Sequence, residues 1–372
     1  MKVGIPKETR HGETRVAATP DTVKKLHAQG LEVVVERDAG RAAHFHDAAY
    51  EAVGATIGSA ADALGADIVF KVHKPDDAET AQMKRGALLV SFMELCNVEG
   101  KLNGLAQAGV DAFALELVPR ISRAQAMDAL SSQSNIAGYR AVLEAANLYG
   151  RFFPMMMTSA GSAKPARVIV LGAGVAGLQA IATARRLGAQ VSAYDVRPEV
   201  KEQVMSLGAR FIELELGESG VGQGGYAKQL SEAAQRRQVE LLGEELKKAD
   251  IIISTALIPC QPAPLLISEA AVQGMQTGTV VIDMAAAAGG NCPLSKPDQT
   301  LNVHGVIICG TSNFPGLMPA DASAFYARNL LNFLGLLLDK QDGEVILKDY
   351  LADEITAASL VTYKGEVRYQ GR

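Results

Sequence analysis

The sequence predicts an α/β protein of two Rossmann-like domains, each a doubly wound parallel sheet, joined by long helices. Three observations predict it. Short apolar strands alternate with helical stretches through the first third of the chain. A glycine fingerprint lies between a strand and a helix near the middle. At 372 residues the chain also exceeds what one ordinary core organises.

In order along the chain, Lys2–Pro6, Glu32–Glu36, Ile68–Val72, Ala87–Ser91 and Asp111–Ala114 are short, apolar runs that read as strands. Thr19–Gln29, Asp47–Val53 and Gly100–Ala108 read as the helices between them. Ile136, Tyr139, Val142, Leu143 and Ala146 mark one apolar face of a long helix that ends near Gly150 and bridges the domains. Phe153 to Pro165, rich in Met, Ser, Gly and Ala, reads as a loop. In the second domain Val168–Leu171 is a strand, Val175–Leu187 a helix and Gln190–Asp195 a second strand. Further strands are expected at Arg210–Leu214, Ile251–Thr255, Thr279–Asp283 and Val306–Cys309. Ala320 to Lys340 reads as a long apolar helix returning the chain to the first domain, which the C-terminal tail completes. The expected domains are 1–134 with 322–372, and 135–321.

Composition narrows the function classes. The chain is 48% hydrophobic and 21% charged, with 36 Gly and no Trp, which suits a folded Ala/Gly-rich α/β protein and argues against disorder. Lys+Arg 36 against Asp+Glu 41 leaves a formal −5, and no basic stripe offers itself to nucleic acid. Cys96, Cys260, Cys292 and Cys309 contain no C-x-x-C pair, so the chain reads as a reduced, intracellular protein without a disulfide framework or zinc knuckle. The N-terminus opens into a strand, so no signal peptide is expected. The apolar runs Phe152–Met157 and Leu330–Leu338 fall short of the ~20 residues a membrane span needs.

Two segments carry the chemistry. In Arg167-Val-Ile-Val-Leu-Gly-Ala-Gly-Val-Ala-Gly, Gly172, Gly174 and Gly177 have G-x-G-x-x-G spacing between a strand and a helix, answered by Asp195 at the end of the next strand. The glycines allow a tight turn and close approach of pyrophosphate to the helix start. Asp195 can accept both hydroxyls of an adenosine ribose and would repel a 2′-phosphate, so NAD is favoured over NADP. Arg197 is the one feature that softens this preference. The second segment, Pro119 to Tyr139, sets Arg120, Arg123, Gln125, Asp128 and Ser131 at the approach to a helix, able to clamp an anion and hydrogen-bond a carboxamide. A third stretch, Gly217 to Gly225 followed by Tyr226, is glycine-rich enough for a mobile lid or a plain surface loop.

A dehydrogenase acting on an alcohol or amine needs a positioned acid or base. Of the six histidines, His44 and His46 stand in a loop without acidic or Cys company for a metal, and no metal is expected. His73 ends a strand, where either packing or function is open to it. Hydride transfer between two nicotinamide rings needs no such group, only two rings held face to face at roughly 3–3.5 Å with water excluded. With one dinucleotide fingerprint in the chain, the second nucleotide of such a reaction would come from another polypeptide.

At these motifs the chain resembles the NAD(H)-binding domain I, or α subunit, of the proton-translocating NAD(P) transhydrogenases. The likeness runs through PRISRAQAMDALSSQSNIAGYRAV, VIVLGAGVAGLQAI, YDVRPEVKEQVMSLGA, GGYAK at 224–228, STALIPCQPAPLLI and DASAFYARNLLNFL. It implies NAD(H) held between two Rossmann-like domains, and hydride exchange with NADP(H) on a separate β subunit. It also implies a membrane domain that couples this to proton movement, a homodimer, and a place at the cytoplasmic face of the inner membrane through those partners. Carried onto matching positions, it implies that Arg120, Ile121, Ser122, Arg123, Gln125, Asp128 and Ser131 surround the nicotinamide, ribose and pyrophosphate. Arg120, Gln125, Asp128 and Ser131 are the catalytic set. Gly172, Gly174, Val175 and Gly177 lie under the dinucleotide, Asp195, Val196 and Arg197 surround the adenosine ribose, Gly225 and Tyr226 belong to the mobile loop, and Thr255 and Leu257 line the cleft. The lid region is slightly short for that family. The N-terminal motifs are also similar to alanine dehydrogenase, an NAD-dependent amino-acid dehydrogenase. Arg15 and Lys71 or Lys74 match it, but Val90–Cys96 lacks the histidine that enzyme carries there.

Overall fold

The computed structural model describes residues 1–96, 100, 102–218 and 230–371. The chain folds as two compact units, Met1–Gln133 with Pro315–Arg372, and Ser134–Phe314.

In the first unit, strands β1 (Lys2–Ile5), β2 (Glu32–Glu36), β3 (Thr56–Gly58), β4 (Ile68–His73), β5 (Leu88–Phe92) and β6 (Asp111–Ala114) run parallel in the order β3-β2-β1-β4-β5-β6. Strands Leu360–Tyr363 and Glu366–Val367 extend the β6 edge antiparallel, so the C-terminal tail does complete this sheet. Val3, Ile5, Val69, Val72, Leu89 and Val90 are wholly buried, as strands covered on both faces require. The apolar helix Pro319–Leu337 packs Tyr326, Leu330, Phe333, Leu334 and Leu337 into one of the two cores. It stops three residues before the expected Lys340, because Leu338–Gln341 leaves the helix to pair with Glu344–Leu347.

In the second unit β7 (Met156–Thr158) and β8 (Gly161–Ala163) form a hairpin where the sequence reads as a loop. Beyond it come β9 (Arg167–Leu171), β10 (Gln190–Tyr194), β11 (Arg210–Phe211), β12 (Ile251–Ser254), β13 (Val280–Asp283), β14 (Thr300–Val303) and β15 (Val306–Cys309). Their order is β11-β10-β9-β12-β13-β15-β14, parallel except for the edge strand β14. The order reverses between β9 and β12, where Leu171 stands beside Ser254. Open parallel sheets bind ligands at the carboxyl ends of the strands flanking such a reversal. β11 is shorter than expected and β14 was not anticipated, nor was the helix Glu232–Leu246 that covers one face. Both units are thus Rossmann-like, as the alternation of strands and helices predicts. Cys292 and Cys309 are free and buried. Among the described residues no helix is long and apolar enough to cross a membrane.

Candidate dinucleotide site

The glycine turn stands where β9 feeds the helix Val175–Arg186, and its three glycines do three different things. Gly172 has φ +93°, and a Cβ there would lie 2.7 Å from Thr255 Oγ1. A Cβ at Gly177 would lie 1.8 Å from the Gly172 carbonyl oxygen, so this position is what lets the helix sit on the turn. Gly174, the residue that opens the helix, would point its Cβ into open space with nothing within 4 Å. That free approach to a helix N-terminus is what a pyrophosphate requires. Val175 beside it is exposed. Thr255 does not face outward. Its hydroxyl donates toward the carbonyls of Leu171 and Gly172 at 3.2 and 3.1 Å, stitching β12 to the turn. Leu257, two residues on, is exposed.

Asp195 follows β10 and is buried. Its carboxylate accepts from the amide of Ala173 inside the glycine turn at 2.7 Å and from the Arg197 amide at 2.9 Å. The Arg197 guanidinium closes on it as a fork, Nε at 2.9 and Nη2 at 2.8 Å. The hydrogen bond to Asp195 raises the Arg197 pKa, so the guanidinium stays charged. Val196 between them is half-buried. Asp195 therefore both braces the turn and presents a carboxylate that Arg197 covers in this conformation. Burial pushes the neighbouring Tyr194 phenol up to about 12, and its hydroxyl accepts from Gln238 at 2.9 Å.

The other predicted residues form a second group, in the first unit. Ser122–Met127 is a 3-10 helix that leads into the long helix Ala129–Leu148. Asp128 caps that helix: its carboxylate accepts from the Ser131 amide at 2.8 Å and the Ser131 hydroxyl at 2.6 Å. Arg120, Ser122, Arg123 and Gln125 are exposed and Ile121 is half-buried. Arg123 is held by Asp353 at 2.6 and 3.1 Å and by Glu354 at 3.2 Å, which gives it a local partner in the C-terminal segment. Gly225 and Tyr226 lie outside the described residues.

Sequence reading missed a buried charge network at the β1/β4 reversal of the first unit. Lys71 Nζ donates to Glu79 at 2.8 Å and lies 3.6 Å from Glu8. Arg15 is forked onto Glu13 and donates to Gln133 at 2.9 Å. His73, the last residue of β4, sets Nε2 2.7 Å from Glu13 and Nδ1 3.0 Å from Glu94, and Glu94 is also paired with Arg10. Burial works against ionisation of Glu13, but hydrogen bonds from Arg15 and His73 outweigh it and hold its pKa far below normal. The hydrogen bond to His73, with Arg10 beside it, holds Glu94 at about 2. Burial disfavours the His73 cation, yet its two carboxylate partners raise its pKa overall. An imidazole locked between two carboxylates is a poor general base. The signal available in the sequence was the Lys7-Glu8 pair directly after a buried strand.

Comparison with known proteins agrees with this architecture. The N-terminal domain of the alanine dehydrogenase/PNT family matches residues 4–137 and its C-terminal domain residues 141–370. An NAD(P) transhydrogenase subunit alpha protein of Rhodospirillum rubrum is 50% identical over 376 residues, covering 99% of this chain and 97% of that protein. The crystal structure of transhydrogenase from Sinorhizobium meliloti superposes with a TM-score of 0.86 at 42% identity, covering 100% of this chain and 99% of that one. An L-alanine dehydrogenase structure superposes at 0.83 with 28% identity, covering 100% and 97%. The chain therefore belongs to the alanine dehydrogenase/PNT family, and within it stands nearer to these transhydrogenase sequences and structures than to alanine dehydrogenase.

Proposed function

We propose that this chain is the NAD(H)-binding component of a Re/Si-specific, proton-translocating transhydrogenase. It would exchange hydride between its own NADH and NADP+ on a partner β subunit, with proton movement carried by a separate membrane domain. One observation carries the reading: a glycine turn whose helix-opening Gly174 leaves open space, braced by Asp195, in a chain half identical along its length to a transhydrogenase α subunit. The residues present fit a dinucleotide. The open amides at Gly174 and Val175 would receive the pyrophosphate, and Asp195 would take the adenosine ribose hydroxyls in place of the Arg197 fork. Arg120, Gln125, Asp128 and Ser131 would orient the nicotinamide end. When bound, the reduced nicotinamide supplies the hydride. The chain's own task is to hold and shield it. A homodimer docked through partner subunits at the cytoplasmic face of the inner membrane completes the proposal.

The test mixes the purified chain with an NADP-binding β-subunit domain, NADH and an oxidised NADP analogue. Reduction of the analogue that depends on both proteins is expected. Absence of cross-transfer, together with alanine- and NAD-dependent growth of the reduced-nicotinamide absorbance, would transfer the assignment to an alanine dehydrogenase-like activity.

A further inference from the structure

The segment that leaves β12 at the sheet reversal swings out and returns. Ser254 is buried, Leu257, Pro259, Cys260 and Gln261 are exposed, and Leu266 and Ile267 are buried again. One fully buried side chain, Asn291 from the loop after β13, holds both feet of this excursion. Its Nδ2 donates to the Ala256 carbonyl at 2.9 Å and to the Pro264 carbonyl at 2.8 Å. Its Oδ1 accepts from the Ser254 hydroxyl at 2.6 Å. The backbone carbonyl of the same residue accepts from the amides of Leu266 and Ile267, each at 3.0 Å. Two carbonyl acceptors on one side and a hydroxyl donor on the other leave the amide a single satisfactory orientation. A primary amide in a core is costly unless it is saturated, and here its donors are spent on the two ends of one loop.

Sheet order says what that loop stands beside. Asp195 follows β10, on one side of the glycine turn, while β12 and β13 lie on the other. A dinucleotide crossing the turn with its adenosine ribose at Asp195 extends its nicotinamide half over the ends of β12 and β13. We propose that Asn291 is a positioning residue for that nicotinamide half, acting through the 257–263 loop whose feet it clamps. The proposal rests on the NAD(H) reading above and extends it to a residue outside the fingerprint. Asn291 touches no nucleotide itself. It fixes the surface against which the ring is placed, and placement is what hydride transfer depends on.

The test compares NADH with ADP-ribose, which shares the adenosine and pyrophosphate but lacks the ring. Calorimetric titrations use the full chain in reducing buffer. Asn291→Asp keeps the shape but turns an oxygen toward two carbonyl oxygens. Ser254→Ala removes only the hydroxyl that orients the amide, and it carries the test if the first variant does not fold. NADH affinity is expected to fall about tenfold in Asn291→Asp and severalfold in Ser254→Ala, with ADP-ribose affinity within about twofold of wild type in both. Equal losses for the two ligands would reduce Asn291 to a folding role and overturn the proposal. Unchanged NADH binding, or a wild-type chain that binds both ligands equally, would overturn it as well. A wild-type chain that binds neither ligand would instead bring down the NAD(H) reading, and the proposal with it.

Discussion

Asp195 and Asp128 are two carboxylates of the proposed site, and each has a structural duty besides its proposed role. Asp195 is buried with Arg197 forked across it and the Ala173 amide beneath. Replacing it with alanine leaves the Arg197 guanidinium facing the ribose position without its counter-charge. NADH affinity should fall by about tenfold or more in Asp195→Ala, and NADPH should gain relative to NADH, because the group that repels a 2′-phosphate is gone. Fluorescence titration with both nucleotides reads this directly. An unchanged NADH/NADPH ratio would remove Asp195 from the ribose. Asp128 caps the helix Ala129–Leu148 through Ser131, and asparagine caps helices about as well as aspartate. Asp128→Asn should therefore keep the melting temperature and NADH affinity while slowing transfer to the partner domain. Wild-type turnover in the mixed assay would leave Asp128 a cap and nothing more. The sequence marked both residues by type and spacing, but it carried no sign that each was already hydrogen-bonded within its own unit.

At the scale of elements, the strand-turn-helix at 167–186 separates folding from binding within a single motif. A Cβ at Gly177 would collide with the Gly172 carbonyl, forcing helix from strand, so Gly177→Ala should destabilise the second unit by roughly 1–3 kcal/mol. A Cβ at Gly174 meets nothing. Gly174→Ala should melt within a few degrees of wild type yet lose most NADH affinity, since the methyl occupies the phosphate approach. Thermal scans with and without NADH distinguish the two. A fully binding Gly174→Ala would show that the pyrophosphate does not lie there. The same close packing recurs at Gly138, where a Cβ would stand 2.0 Å from the Ala176 carbonyl, and this is why Gly138 interrupts an otherwise helix-favouring stretch. Two exposed strands without periodicity were among the elements misread. Met156–Thr158 and Gly161–Ala163 are fully or largely exposed and show no alternation, and they pair across a tight turn at Ser159 and Ala160.

Across the molecule, two sheets of like winding present very different carboxyl ends. The second unit offers an open glycine turn. The first fills its reversal with Glu8, Glu13, Arg15, Lys71, His73 and Glu94, joined in ion pairs and hydrogen bonds. The lowered pKa values of Glu13 and Glu94 contribute stability that is present above the ordinary carboxylate range and lost as pH falls toward their folded values, about 2 for Glu94. The half-exposed Glu94 contributes less, because solvent screens it. The raised pKa of His73 works the other way: its contribution is complete below about pH 6.5 and is lost as pH rises through the folded value. The first unit should therefore be most stable between roughly pH 5 and 6.5. From pH 6 to 9 its melting temperature should drop by a few degrees, and His73→Gln should flatten that alkaline limb without altering NADH affinity. A variant that retains the limb would place its origin outside His73.

Local pattern alone settled the fold class, most of the strands of both sheets, though neither Thr56–Gly58 nor Thr300–Val303, and the glycine fingerprint with its carboxylate. Each of these is written in residue spacing: runs of buried strand, a 3.6-residue face, a turn only glycine can make. Which groups would saturate one another was left to tertiary structure, since ion pairs and hydrogen bonds join positions far apart in the chain. Only the folded chain sets Arg197 across Asp195, Arg123 against Asp353, His73 between two carboxylates, and one buried asparagine at both feet of the loop after β12. An isolated Asn in a loop carries no periodicity and no motif, and its importance exists only once the carbonyls of Ala256 and Pro264 have been brought within 3 Å of its amide.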